Sequence, residues 1–105
     1  IPGENIEDVF PLPNDMFSDG ELFLLTVSGD SMVNAGILNG DKIVVRKQSF
    51  VNNGEIVAVM IDGEATVKRF YMESKHIRLQ PENDKYDPII VVVAEVLGLV
   101  VDINN

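Results

Sequence analysis

Short apolar runs separated by turn residues fill the chain from residue 21 onward. The runs are ELFLLTV (21–27), KIVVRK (42–47), EIVAVMI (55–61), EATVKRFYM (64–72) and HIRLQ (76–80). Each run has the length of a strand, and β-branched residues are frequent in them. The final run, IIVVVAEVLGLVVDI (89–103), is long enough for one or two strands. Because hardly any segment has a helical period, the pattern predicts a mostly β domain.

The residues between these runs favour turns. Asp62-Gly63 separates two runs directly and predicts a tight hairpin, since both turn residues must tolerate positive φ. Asn39-Gly40 and Asn53-Gly54 are further turn signals, and PENDKYDP (81–88) predicts a polar loop. After the first strand, Ser31 is in a position to cap one or two helical turns through MVNAGI (32–37).

The first 20 residues have a different character. They contain Pro2, Pro11, Pro13 and several acids, which predicts an extended acidic arm. We therefore divide the chain into an arm, 1–20, and one domain, 21–105. No stretch of about 18 apolar residues predicts a membrane span, and no signal peptide is apparent. The chain starts at Ile1 rather than a methionine, which predicts a fragment or a processed product.

Composition and charge narrow the possible functions. The chain has no cysteine, which excludes disulfides and thiolate metal sites and is consistent with a cytoplasmic protein. Its acids are scattered and lack calcium-loop spacing, so we expect neither a metal nor a cofactor. The net charge is −9, and all eight Lys and Arg residues follow residue 41. DNA binding needs a basic surface, so the chain is not expected to bind DNA by itself.

The segment VSGDSMVNAG (27–36) raises a chemical question, because a serine hydroxyl becomes a nucleophile only beside a base. His76 is the single histidine, and its strand pattern favours an exposed polar position. A neutral lysine is the other known base, and Lys68 alone lies in the middle of a predicted strand. Alternation places Lys68 on one face with Thr66 and Phe70. Its pKa must fall by roughly 3 pH units to act near neutrality, at a cost of about 4 kcal/mol. The pattern alone favours an exposed strand lysine.

A family resemblance changes that interpretation. GDSM, followed by EATVKRFY with 37 positions from Ser31 to Lys68, is similar to the self-cleaving domain of LexA-type repressors. NIEDVFPLP upstream, AGILNGDKIVVRKQ and NNGEIVAVMIDGEATVKRF between, and RLQPEN downstream also resemble that family. The resemblance runs from about Asn5 to Asp87 and implies a compact β fold of the LexA and signal-peptidase kind, with one short helical turn after the nucleophile.

The resemblance implies a self-cleaving serine peptidase. Ser31 would be the nucleophile, neutral Lys68 the general base, and backbone amides near Ser31 would hold the oxyanion. The substrate would be an Ala-Gly bond in the protein's own linker. A RecA filament on single-stranded DNA would stimulate the cleavage. This domain would form a homodimer, and operator DNA would be bound only through an N-terminal helix-turn-helix domain absent from this chain. Such a protein would act in the SOS response to DNA damage.

The linker bond is expected to lie outside this chain. The family's cleavage site precedes the nucleophile by more than the 30 residues found before Ser31 here. The internal Ala35-Gly36 lies in the segment that must position Ser31, so we reject it as the substrate. Alternative functions are a self-cleaving polymerase accessory subunit, a phage repressor with the same dyad, or a non-catalytic β dimerisation domain in which Ser31 only caps a turn. A signal peptidase is disfavoured because it would need a membrane anchor.

Overall fold

The computed structural model describes residues 4–11 and 20–104, which form strands and one turn of 3-10 helix. The strands are β1 (Glu4–Pro11), β2 (Leu22–Gly29), β3 (Lys42–Lys47), β4 (Ile56–Ile61), β5 (Glu64–Met72), β6 (Ile77–Gln80), β7 (Ile89–Val91) and β8 (Glu95–Asn104). The 3-10 turn, Val33–Ala35, lies between β2 and β3. The predicted mostly β fold with one helical turn is confirmed. No helix in the described ranges is long and apolar enough to cross a membrane.

All strand pairs are antiparallel and belong to one sheet, in the order β1-β2-β3-β8-β4-β5-β6-β7. The C-terminal strand β8 returns to the middle of the sheet, where it pairs with both β3 and β4. β1 also lies close to β5, so the sheet curls back on itself. This curvature brings the end of β2 towards β5, although three strands separate them in the sheet order.

The predicted hairpin at Asp62-Gly63 joins β4 to β5. Asp62 has φ 50° and Gly63 has φ 80°, so both turn residues adopt the left-handed region that a two-residue hairpin of this kind requires. Asp62 is the only non-glycine with positive φ among the described residues. The turn fixes the register of β5 against β4, pairing Lys68 with Val57.

Two apolar clusters form the core. One contains Leu25, Val27, Met32, Ile37, Ile43, Val45, Ala58 and Val67. The other contains Val57, Val59, Ile61, Phe70, Ile77 and Leu79. β4 and β5 contribute residues to both clusters, so the middle of each strand is covered on both faces. Thr66 and Lys68, two polar residues in the middle of β5, are buried there.

The strands and the polar loop predicted after residue 20 agree with the structure. The predicted runs become β2 to β6, the run 89–103 gives two strands, and 81–88 is a loop. Within the arm, for which we expect an extended conformation, residues 4–11 pair with β2 as an edge strand. Residues 1–3 and 12–19 of the arm lie outside the described residues. The division into an arm and one domain stays a prediction.

Candidate active site

Ser31 lies in the turn that follows β2. Gly29 ends that strand with φ 101°, and the chain then bends at Asp30. Ser31 is fully buried. The expectation that Ser31 caps the helical turn is wrong: Met32 occupies the N-cap position, and no side chain makes a capping hydrogen bond there. The hydroxyl is directed elsewhere, towards β5.

Lys68 meets that hydroxyl. Its Nζ lies 2.9 Å from Ser31 Oγ, although 37 positions separate the two residues. The same Nζ lies 2.7 Å from Thr66 Oγ1 and 3.1 Å from the Val67 carbonyl oxygen. Lys68 is only 2% exposed, so the exposed position that the strand pattern favoured is wrong. Two candidate residues chosen from the sequence are thus in hydrogen-bond contact inside the protein.

His76 lies away from this pair. It precedes β6, its side chain is 37% exposed, and its Nε2 lies 2.9 Å from Glu73 Oε1. Arg78 Nε approaches the same carboxylate oxygen at 3.2 Å, and these contacts, with that of His76 first, lower the pKa of Glu73. The interpretation of His76 as a polar surface residue agrees with this position.

The loop after β6 holds the serine turn, a role that the residue pattern of this loop does not predict. Glu82 donates its backbone N–H to the Ser31 carbonyl oxygen at 2.8 Å and accepts the Asn34 N–H at 2.8 Å. Asn83 Nδ2 donates to the Asp30 carbonyl oxygen at 2.8 Å. The family resemblance at RLQPEN (78–83) indicated that this segment matters. The turn that the segment contacts could not be predicted from one sequence.

Asp30 adds side-chain contacts to the same loop. The Tyr86 hydroxyl donates to Asp30 Oδ1 at 2.5 Å, and Lys85 Nζ donates to Oδ2 at 3.0 Å. These hydrogen bonds, that of Tyr86 first, lower the pKa of Asp30, while the pKa values of Tyr86 and Lys85 are raised by the same carboxylate. The residue before Ser31 is therefore fixed through both its main chain and its side chain.

Two further features bear on where a ligand could bind. The described ranges hold no group of three His, Cys, Asp or Glu residues that could bind a metal ion. An open apolar pocket of about 340 Å³ is lined by Phe23, Leu25, Val45, Lys47, Met60, Ala65 and Leu97. Neither Ser31 nor Lys68 lines that pocket, so the chemically equipped site is the buried Ser31–Lys68 pair.

Comparison with known proteins gives consistent matches over nearly the whole chain. The family described as Peptidase S24-like matches residues 2–101. The LexA repressor of Lactobacillus johnsonii is 60% identical over 106 residues, covering 97% of this chain and 51% of the relative. The LexA repressor of Lactobacillus delbrueckii subsp. bulgaricus is 61% identical over 100 residues, covering 93% and 48%. The LexA repressor of Alkaliphilus oremlandii is 54% identical over 100 residues, covering 95% of this chain and 48% of the relative. The chain spans about half the length of these curated relatives.

Proposed function

The chain belongs to the peptidase S24-like family, and from that premise we propose that it is the self-cleaving and dimerising half of a LexA-type transcriptional repressor. Ser31 acts as the nucleophile and Lys68 as the general base. The observation that carries the proposal is the buried contact of 2.9 Å between Lys68 Nζ and Ser31 Oγ. A serine that merely capped a turn would not be aimed at a buried amine.

The surroundings of Lys68 favour its neutral form. Removal of an amine from water disfavours the ammonium, because the lost hydration stabilised the charge. A neutral amine has two N–H donors and one lone pair, so it can donate to Thr66 Oγ1 and the Val67 carbonyl oxygen while the lone pair accepts the Ser31 hydroxyl proton. The hydroxyl oxygen would then attack the peptide carbonyl, and the new ammonium would protonate the leaving amine.

The turn after Ser31 supplies candidate donors for the oxyanion. The amides of Asn34 to Ile37 donate to backbone carbonyl oxygens. No described residue accepts a hydrogen bond from the amides of Ser31 or Met32. Fixed backbone donors of this kind typically contribute on the order of 3 kcal/mol to lowering the barrier. The Ser31 and Met32 amides therefore support an oxyanion site beside the nucleophile.

The wider role that we propose is the one that the family resemblance implies. The substrate is an Ala-Gly bond in the protein's own linker, and a RecA filament on single-stranded DNA promotes its cleavage. The domain forms a homodimer in the cytoplasm, and an N-terminal domain outside this chain binds operator DNA. Cleavage separates the two halves and relieves repression of SOS genes. The net charge of −9 agrees with a domain that does not itself contact DNA.

The test is self-cleavage of the full-length protein, followed on a gel without any activator. The wild-type rate should rise from near pH 7 to near pH 10, because deprotonation of a lysine base limits it. Ser31→Ala and Lys68→Ala should each lower the rate on the order of a thousandfold or more. Exposed residues of the same types give matched controls, Ser49→Ala and Lys75→Ala, which should cleave like wild type.

Three results would contradict the proposal. A cleaving wild-type protein whose rate is flat between near pH 7 and near pH 10 would exclude a lysine base that titrates in this range. Cleavage that survives in Ser31→Ala would exclude the nucleophile. A wild-type protein that stays uncut at both pH values, with or without RecA filaments, would leave only a β dimerisation domain.

A further inference from the structure

The curl of the sheet brings the end of β2 towards β5, but strand pairing does not link Ser31 directly to Lys68. Ser31 follows β2, Lys68 lies on β5, and the strands β3, β8 and β4 come between these two in the sheet order. Self-cleavage nevertheless needs Oγ and Nζ within hydrogen-bond distance, and a misplacement of about 1 Å can cost a hundredfold in rate. A direct link between the serine turn and the strand of the base would fix this distance more closely than the curl of the sheet does.

The loop after β6 provides that connection at Glu82. Its backbone N–H donates to the Ser31 carbonyl oxygen and its carbonyl oxygen accepts the Asn34 N–H, both at 2.8 Å. The two hydrogen bonds bracket the turn that carries the nucleophile. The position of Ser31 therefore depends on the position of the Glu82 main chain.

The side chain of Glu82 fixes where that main chain sits. Its Oε1 accepts a hydrogen bond from Arg69 Nε at 2.9 Å, and Arg69 Nη1 donates to the Gly54 carbonyl oxygen at 2.5 Å. Arg69 follows Lys68 directly on β5. One ion pair thus joins the backbone of the base strand to the residue that brackets the nucleophile turn.

We propose that Glu82 and Arg69 are positioning residues that set the separation between Ser31 Oγ and Lys68 Nζ. The inference rests on the proposed function and adds two residues to it that touch neither the reacting hydroxyl nor the amine. Both side chains are 28% exposed, and an ion pair at that exposure contributes little to folding stability. The loss on breaking the pair should therefore appear in the cleavage rate far more than in the melting temperature.

The experiment measures the self-cleavage rate of the full-length protein across pH, beside thermal melting. Glu82→Ala and Arg69→Ala should each lower the plateau rate about ten- to a hundredfold. The pH of half-maximal rate should move little, because Nζ keeps its burial and its contacts with Thr66 Oγ1 and the Val67 carbonyl oxygen. The double variant should be no slower than the slower single variant, since both changes break one contact. Glu82→Gln keeps an oxygen acceptor for Arg69 and should recover most of the rate.

A second Arg–Glu pair of this sheet gives the matched control. Arg78 Nε lies 3.2 Å from Glu73 Oε1, the side chains are 28% and 36% exposed, and neither residue contacts the serine turn. Glu73→Ala should cleave within about twofold of wild type. If Glu82→Ala fails to fold, Glu82→Gln and Arg69→Lys carry the comparison, with the Arg69→Lys rate expected between those of wild type and Arg69→Ala.

The outcomes separate this inference from the proposed function. A wild type that cleaves and a Ser31→Ala variant that does not would uphold the dyad. If the dyad is upheld, three results would overturn the positioning role alone. Glu82→Ala and Arg69→Ala could cleave at the wild-type rate, or their losses could add in the double variant. Glu73→Ala could also lose as much activity as Glu82→Ala. A wild type that never cleaves would overturn both.

Discussion

Burial of Lys68 is the residue-scale feature that alternation along the strand could not predict. The pattern correctly places Lys68 on the face of Thr66, whose hydroxyl it contacts at 2.7 Å. The pattern does not predict the burial of Lys68, because Val67 on the opposite face is also fully buried. β5 contributes residues to both apolar clusters, and the curled sheet brings β1 close to it. That is a long-range property, which periodicity within one segment does not contain.

Asp30 gives a pH prediction at the same scale. Its pKa lies below the ordinary value of 3.8, first through the Tyr86 hydroxyl and then through Lys85. A carboxyl whose pKa is lowered by folding stabilises the fold above its ordinary pKa, and this contribution is lost as the pH falls through the lowered value. Asp30→Asn should therefore melt slightly below wild type at neutral pH, and the difference should shrink towards pH 3.

Thermal melts of wild type and Asp30→Asn across acid pH would check this. Asp87→Asn removes an exposed acid from the loop that contains Lys85 and Tyr86. It serves as the control, with a pH dependence like that of wild type. A difference between Asp30→Asn and wild type that grows on acidification would refute the assigned sign. At the alkaline end, the raised pKa values of Tyr86 and Lys85 mean that their contribution is complete below about pH 10 and lost above it.

Individual strands and turns were the most predictable elements. Asp62-Gly63 could be interpreted from the sequence because a two-residue hairpin has a local chemical requirement. The need for glycine at position 98 could not be predicted in this way, because it comes from the neighbouring strands. It lies in β8 opposite Lys47 of β3 and Ala58 of β4. A Cβ at this position would strike the Arg46 carbonyl oxygen and lie 2.6 Å from Val45 Cγ1. In the sequence, Gly98 is only an interruption of an apolar run.

The two glycines should therefore respond differently to alanine. Gly63→Ala meets no atom within 4 Å and bears only the backbone cost of a left-handed conformation, about 1 kcal/mol. Gly98→Ala should lower the free energy of unfolding by about 2–3 kcal/mol, because backbone and a buried valine must shift. Urea unfolding of both variants measures the difference. Equal losses, or a larger loss in Gly63→Ala, would show that β8 can move away from β3 at little cost.

For the molecule as a whole, the family resemblance predicted more than the physics of single segments. The LexA-type S24 assignment made from GDSM, the hairpin and EATVKRFY is confirmed by the family match over residues 2–101. The resemblance named Ser31 and Lys68 together, whereas the residue pattern alone favoured an exposed lysine. Neither approach assigned a role to Glu82 or Arg69. Their contacts join a loop, a turn and a strand that are distant in sequence, and only the folded chain displays them.

Dimer formation is the last property predicted at the scale of the molecule. β4 pairs with β8 only over residues 95–99, so no described strand pairs with that side of β8 from Val100 onward. Val101 lies in this stretch of β8, at the irregularity in its pairing with β3, and is 38% exposed. An open strand edge with apolar side chains can pair with a second copy across a two-fold axis. A carboxylate at this position would be desolvated in such an interface, so Val101→Asp should weaken the dimer on the order of tenfold or more.

Sedimentation equilibrium of the full-length protein with Ser31→Ala, which prevents cleavage during the run, measures this effect. Val93→Asp introduces the same charge at a valine that is 80% exposed in the connection between β7 and β8, before the strand whose open edge is tested. It should dimerise like the parent. A Val101→Asp protein with an unchanged dissociation constant would move the interface away from β8, and equal weakening by both substitutions would point to general charge repulsion in this acidic protein. Selective weakening by Val101→Asp would place the two-fold axis beside the open edge of β8.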